Sequence, residues 1–531
     1  MKRRSFLKQI AQLAGAPLLA QAGCTPAKPA ITGSILGADA KTGHLLRDAH
    51  SLPAPSATIH TQILVVGGGI SGLSALRWLQ QKGITDALMV EMAEPGGNST
   101  WGQNSVSAYP WGAHYLPVPD VSNTEILDFL HQSGIITGFD AAGLPIYNEY
   151  HICHDPEERL FINGLWQEGL VPQFGISKTD DTQIRRFLAE TEALKHAKGN
   201  DGLDAFCIPL DKASTDPAYS NLDQISFDQY LRQKGYSSPY LLWYLEYCCK
   251  DDFGSGLKET SAWAGLHYFA SRKGRAANTG PSAVLTWPEG NGYLVKALKK
   301  QITLPVKSGM IALKIAEKGE DTEVWCMDKH TGKTTAITCR KLLLCTPQFV
   351  NKHLLGDARP LAYNQFNYAP WVVANITLNN LPGQNGYPLC WDNVIFGTQS
   401  VGYVYANHQN LKQPQQGVLT YYLPFPGSDT AQTRRNIQSE PHSHWVQLIT
   451  TELEKAHRGI SNHITNIDVW VWGHGMICPS PGFIWGETRK QAAKPVADKI
   501  FFAHTDLSGI SIFEEAFYQG IRAANQIINS L

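Results

Sequence analysis

Apolar residues fall along this chain in bursts of two different spacings. Thr61 to Val66 is a nearly continuous apolar run, as long as a strand buried on both faces. It breaks into glycines, and apolar positions then resume at Leu73, Leu76 and Leu79. That spacing predicts a helix from Ile70 to Lys82, closed by Gly83. A second strand, Ala87 to Val90, follows and ends in Glu91. Near the far end, Ile500 to Ala503 predicts a strand and a polar turn comes next. Phe517, Ile521, Ala524 and Ile528 then mark one helical stripe, with Ala516, Gly520 and Ala523 small enough for close approach to a neighbour. In between, PWVVANITL (370–378) predicts a strand, and VWVWG (469–473) alternates as a half-buried strand does.

The glycines between the first strand and helix are Gly67, Gly69 and Gly72. In a strand–turn–helix unit of this spacing, the first makes the tight turn and the second lets the backbone approach a pyrophosphate. The third lets helix and strand pack closely. The pyrophosphate would rest on the helix start, at Ile70 and Ser71, where free N–H groups and the helix dipole favour negative charge. Glu91 stands 24 positions after Gly67, where a carboxylate accepts the hydroxyls of an adenosine ribose and repels a 2′-phosphate. The motif therefore argues for an adenine dinucleotide other than NADP, and leaves NAD and FAD open.

With 531 residues, 43% of them apolar, the chain is large enough for more than one core. A formal net charge of −1 gives no reason to expect nucleic acid. The ten cysteines show no Cys-x-x-Cys pairing, and Cys248-Cys249 reads as buried small apolar side chains. His151, Cys153 and His154 cluster, but in an extended segment 151 and 153 share a face that 154 does not, so no metal site is expected.

The first 24 residues read as an export signal: Lys2, Arg3, Arg4 and Lys8 precede a modest apolar stretch, Ile10 to Ala20, that ends in small residues. RRSFLK (3–8) resembles the twin-arginine motif, whose translocase moves folded proteins, so a periplasmic location is expected. Cys24 partly resembles a lipid-acceptor cysteine, with Gln21 where that pattern prefers an aliphatic residue; any membrane attachment would come through the signal or this anchor. Residues 25–60, rich in Pro, Ala, Gly and Ser, read as a lead-in or tether.

The stretch EMAEPGGNSTWGQNSVSAYPWGAHYLP (91–117) resembles the superfamily of flavin amine oxidases, phytoene-desaturase-like enzymes and their relatives. The resemblance implies FAD. It implies that Gly96, Gly97, Asn98 and Ser99 pack on that cofactor, and that Gly112 and Ala113 run beside its ring. It recurs in KIFFAHTDLSGISIFEEAFYQGIRAANQII (499–528), where Asp506 matches an acid that contacts the ribityl or phosphate portion. Ser508 to Ser511 match the entry of a helix aimed at the pyrimidine end of the ring, and Glu514 and Glu515 then read as partners of the helix dipole. WPEGNGYLVKAL (287–298) resembles the loop and helix that re-enter the FAD domain, Val306 falls in the short strand whose backbone meets adenine, and KLLLCTP (341–347) ends the second crossing.

The expected fold is α/β with α+β insertions. A discontinuous Rossmann-like FAD-binding domain (60–116, 285–350 and 480–531) carries a second, substrate domain (117–284 and 351–479). The resemblance implies a FAD-dependent oxidoreductase acting on a small-molecule substrate, with an unidentified electron acceptor. A flavoprotein with structural FAD and no turnover is the alternative from another class, and an NAD dehydrogenase a third. In flavin amine oxidases a lysine usually hydrogen-bonds through water to the flavin; the matching position here falls on Asn375, a departure from an ordinary amine oxidase. No catalytic residue is assigned. His114 is the first histidine to test as acid or base, and Trp263, His267, Tyr268, Trp391, Trp470, Trp472 and His474 are candidates for an aromatic pocket.

Overall fold

A computed structural model describes residues 30–48, 52–356, 359–383, 385–412 and 414–531. The export signal and Cys24 lie outside the described residues. Two large sheets dominate.

The first sheet is built on the glycine-turn unit. Its strands run in the order Val306–Ser308, Ala87–Glu91, Ala57–Val66, Thr334–Leu344, Asp321–Asp328 and Met310–Lys318, and Ile500–Phe502 pairs with the end of Thr334–Leu344. The strands nearest the glycine turn are mutually parallel. The apolar run is covered on both faces, as its composition requires. Ile63 and Val65 pack with Leu73, Leu76 and Met89, while Leu64 and Val66 pack with Leu88, Leu342 and Leu344. The helix over this face spans Ile70–Gln81, and Leu73, Leu76 and Leu79 on it are fully buried. Each such burial stabilises by about 1.5–3 kcal/mol.

The C-terminal helix, Phe513–Asn529, lies against that first helix. The contact is close because Gly520 has no side chain: a Cβ there would stand 2.3 Å from Ser71 O. Ser74 Oγ donates to Phe517 O at 3.0 Å across the same contact. The two ends of the chain therefore meet on one nucleotide-type core.

The second sheet has eight strands in the order Ile35–Gly37, Ile464–Ile477, Tyr368–Leu378, Gly417–Pro424, Tyr403–Tyr405, Asp392–Ile395, Glu158–Ile162 and Leu165–Glu168. Helices Pro239–Phe253 and Ala262–Ala270 form a further packed cluster beside it, with Trp263 and Phe253 fully buried.

Two expectations about organisation need correction. The segment 25–60 is no bare tether where it is described. Strand Ile35–Gly37 pairs in parallel with Val469–Val471, and helix Ala40–Asp48 packs against Met310–Lys318 and Gln348–Leu355. Backbone bonds make the first of these attachments, Ile467 N–H to Thr32 O at 2.8 Å and Val469 N–H to Ser34 O at 2.9 Å, and such bonds leave no mark on composition. The second domain was also expected to begin at 117. Helix Thr124–Gln132 instead joins the first core through Ile126, Phe129 and Leu130, and its Asp128 pairs with the buried Arg77 at 3.1 Å.

Candidate functional site

The glycine turn has the geometry its spacing demands. Gly67 adopts φ +106°, in the region that favours glycine. Gly72 lies so close to it that a Cβ would stand 1.9 Å from Gly67 O. Gly69 differs from both: a Cβ there meets nothing within 4 Å, so its missing side chain leaves open space above the turn. Gly69 also begins the helix with no side-chain cap, which leaves first-turn N–H groups at Ile70 and Ser71 for an anion.

Glu91 closes one side of this cradle. Its Oε2 accepts the Gly68 N–H and its Oε1 accepts the Ala93 N–H at 3.2 Å. Burial pushes its carboxyl up from the usual range, and those N–H donors work in the opposite direction. Gly96 N–H donates to Gly68 O at 2.9 Å, and the Gly97 backbone comes up against Gly69. Ser99, buried, donates its N–H to Gly96 O. Asn98 O accepts Ala113 N–H at 2.9 Å, and a Cβ on Gly112 would stand 2.3 Å from the same oxygen. The structure therefore brings Gly67, Gly69, Ile70, Ser71, Gly72, Glu91, Gly96, Gly97, Asn98, Ser99, Gly112 and Ala113 together around the glycine turn, and Asn98, Gly112 and Ala113 form its open side.

That surface leads into a cavity. Asn98, Gly112 and Ala113 form one wall, Trp371 and Val373 of the second sheet another, and Ser511 to Glu514, at the start of the C-terminal helix, a third. Its atom-free space is about 890 Å3, the solvent at its mouth included. Behind it lies a second chamber that shares His114, Tyr115, Pro117, Asp251, Arg272 and Tyr422 with the first.

The second chamber is acidic and aromatic. Glu158, Asp251 and Asp392 line it with Tyr247, Tyr268 and Trp391. Arg272 also lines it, but its guanidinium is engaged: Nη2 donates to Asp252 at 2.6 Å, Nη1 donates to Tyr268 O at 2.6 Å, and the group lies over the Tyr268 ring at 4.3 Å. Glu158 is solvent-exposed as well as lining the chamber. Burial pushes the carboxyl of Asp251 up to about 7, and burial raises those of Asp392 and Glu158 as well. Buried carboxylates without a cation are driven to hold protons, and a bound cation would let them release those protons.

Not every expected residue belongs here. Asp506 is turned away from both cavities, its Oδ2 accepting Gln348 N–H at 2.7 Å and Tyr368 O–H at 2.5 Å, with His504 3.0 Å from Oδ1. Burial opposes its charge, yet these neighbours together hold the carboxyl below its usual range. Its partners bind the last turn to the strand end. Val306 sits on the sheet edge opposite Met89, outside both cavities, and Ser308 is the residue opposite Glu91. Asn375 does not face the cavity either: it donates to Pro110 O at 3.0 Å and accepts from Thr420 at 2.6 Å. Trp371 and Val373 are the residues of its strand that do.

Of the aromatic candidates, Tyr268, Trp391 and Trp472 line the cavities. Trp263 stacks on Phe206 in the helical core, His267 is held by Cys207 O, Trp470 packs between Trp111 and Trp472, and His474 stacks on Phe349. His114 lines both cavities, and burial lowers its imidazole to about 4, so it is neutral near pH 7. His151 and Cys153 flank a short helical turn and an isolated bridge instead of a shared strand face.

Glu514 and Glu515 are more than surface partners of the helix dipole. Both are buried; Glu514 lines the first cavity, and Glu515 accepts Leu210 N–H at 2.6 Å. Burial pushes them up to about 7 and about 8. The sequence reading missed Asp251, Asp252, Arg272, Asp392, Glu158 and Tyr422. One signal was present: Asp251 and Asp252 end an apolar helix, at the terminus where the helix dipole disfavours acids.

A family model described as an NAD(P)-binding Rossmann-like domain matches residues 65–133. No curated protein matches the sequence. Among solved structures, a redesigned putrescine oxidase superposes with a TM-score of 0.65 at 13% identity, covering 89% of this chain and 100% of that one. Cyclohexylamine oxidase from Brevibacterium oxydans gives 0.61 at 13% identity, covering 88% and 99%. A fatty acid isomerase from P. acnes gives 0.58 at 14% identity, covering 87% and 97%. The fold is thus mixed α/β, a Rossmann-like nucleotide-binding unit joined to a second sheet, as in flavin amine oxidases.

Proposed function

We propose that this protein is a FAD-dependent oxidoreductase that oxidises an amine, bound as a cation in the second chamber. One observation carries the choice of substrate: three carboxylates line that chamber, and its single guanidinium already belongs to Asp252. A buried, uncompensated acidic site with phenol and indole faces is complementary to a cation. Amines fit that chemistry, and the names of two structural neighbours agree with it.

The residues present fit FAD. The pyrophosphate has an open approach over Gly69 onto an uncapped helix start, Glu91 stands where the adenosine ribose hydroxyls belong, and a cavity of about 890 Å3, the solvent at its mouth included, opens at Asn98 and Gly112–Ala113. Bound FAD would supply a two-electron acceptor for the substrate's C–H bond. The protein's own part is to orient the substrate between Tyr422 and Trp391, to balance its charge with Asp392 and Glu158, and to keep bulk water out. The start of the C-terminal helix at Ser511–Glu514 places N–H groups at the first cavity, where they favour negative charge on a bound group.

The chain carries its own address in this reading: a twin-arginine signal exports it folded, already loaded with cofactor, to the periplasm, and Cys24 is the site of any lipid anchor. Purification from its own exporting cell tests the whole reading. The protein should be yellow, FAD should be released on denaturation, and anaerobic addition of amines should bleach the colour. Yellow protein that no amine bleaches would instead support a structural cofactor, and colourless protein that binds NAD would overturn the assignment.

A further inference from the structure

We propose that Asp251 is the base that removes a proton from the substrate's ammonium group before its C–H bond is broken; this rests on the amine-oxidising reading above. Five carboxylates line the two cavities. Asp252 and Glu514 border the first, Glu158 and Asp392 border the second, and Asp251 borders both. It stands at the junction, where a substrate reaching from the acidic chamber toward the ring cavity must pass.

The Asp251 carboxylate is also free. Among the described residues no hydrogen bond or ion pair within 4 Å engages it, whereas Asp252 is held by Arg272 at 2.6 Å and Asp392 accepts the Tyr247 O–H at 3.4 Å. The other titratable groups at the junction are poor bases. His114 has lost basicity through burial, burial raises the phenols of Tyr115 and Tyr422, and Arg272 stays charged. Asp251 ends the helix Pro239–Phe253, where the dipole's negative end strengthens its hold on a proton. A carboxyl titrating near neutrality is well matched to proton transfer at that pH.

The need for a base follows from the chemistry. An alkylamine with an ordinary pKa of about 10 enters as an ammonium ion, and a nitrogen without a lone pair cannot stabilise the loss of hydride from the neighbouring carbon. In the proposed step one N–H bond breaks and one O–H bond forms on Asp251. The nitrogen keeps the electron pair, the substrate becomes a neutral amine and the carboxylate a neutral acid. No oxidant takes part. The charged and titratable groups facing Asp251 are Asp252 and Cys248 on its own helix, Tyr268 on the next helix and Arg272 just beyond it, and Asp392 across the chamber. Tyr115, Tyr247 and Tyr422 complete the surround. Arg272 favours the carboxylate, Asp252 and Asp392 disfavour it, and burial is the largest influence.

The test uses the flavin-loaded protein with cyclohexylamine, and with its trimethylammonium counterpart, which carries the charge but has no N–H. In the wild type, the anaerobic rate of flavin reduction by cyclohexylamine should rise with pH through a midpoint near 7. Asp251→Asn should slow that rate by about 10²-fold or more and abolish this limb. Its Kd for the trimethylammonium ion should change by less than about tenfold. Asp251→Glu should restore part of the limb. Asp392→Asn should show the opposite split, with weaker binding and the limb intact. Flavin spectrum and melting temperature report folding independently of turnover. Asp251→Asn reduced at the wild-type rate with the wild-type pH limb overturns the proposal, as does a loss confined to cation affinity. A wild type that binds the trimethylammonium ion but is bleached by no amine removes the underlying reading, and the proposal with it.

Discussion

The cradle around Gly69 and the chamber around Asp392 are parts of one site built from opposite materials. The cradle is made of backbone: N–H groups, carbonyls and the absence of side chains at Gly67, Gly69 and Gly72. The chamber is made of side chains from widely separated stretches of chain, near 115, 158, 170, 250, 270, 282, 392, 402 and 422. A backbone site fixes what every member of a cofactor class shares. A side-chain site can change its substrate one residue at a time without disturbing the cofactor. Cradle substitutions should therefore act on flavin content and chamber substitutions on ligand choice, and crossing effects would break the division.

The largest effect is expected where the two regions meet. Arg272→Met strands the buried Asp252, and losing one partner of such a pair destabilises by about 3–5 kcal/mol. Chemical denaturation measures it, and the double variant Arg272→Met, Asp252→Leu should recover much of the loss. Full stability in the single variant would mean the pair is not buried as described. Next come the glycines, which separate fold from ligand. Gly72→Ala forces a Cβ against Gly67 O and should cost about 1–3 kcal/mol even without flavin. Gly69→Ala meets open space, so flavin-free stability should stay within about 0.5 kcal/mol of wild type while bound flavin falls sharply. Equal stability losses in both would remove the distinction between turn and cradle. Asp392→Asn should retain its yellow colour and lose about 1.5–3 kcal/mol of affinity for an alkylammonium ion, read by calorimetry.

A further effect is a pH dependence. Glu515 is raised in the fold to about 8 from the usual carboxylate range, so between roughly pH 4.5 and 8 the folded state holds a proton that the unfolded state has lost. Stability from this group is present below that window and declines as pH rises through it. Glu515→Gln should flatten the decline, and its melting temperature should gain on the wild type from pH 5 to pH 8. A parallel pH profile for the two proteins would count against a buried, protonated Glu515.

The same contrast explains what could be read in the sequence. Gly67, Gly69, Gly72 and Glu91 announce themselves by spacing, because a backbone turn is local and its requirements are nearly universal. Gly520 against Ser71 was legible only as a small residue on a stripe. Asp506 was legible as an acid in a turn, but its partner Tyr368, 138 residues away, was not. Asn375 shares a strand face with Trp371 and Val373, but further along that face it meets Pro110 and Thr420, and sequence does not say which residues of one face meet a cavity. Apart from the misplaced acids at the helix end, the chamber acids went unread for a different reason. Asp251, Asp392 and Glu158 look like ordinary surface charges until the fold places them together.

The short strand at Ile35–Gly37 and the helix at Ala40–Asp48 form a clasp: one grips the second sheet, the other the first, before the chain enters the glycine turn. A shortened protein started at the motif would keep every signature of the nucleotide site and lose the hasp that holds its two halves in register. Such a trimmed form should open at the seam where the two cavities join, and a boundary chosen by motif alone would then be mistaken for a failure of the active site.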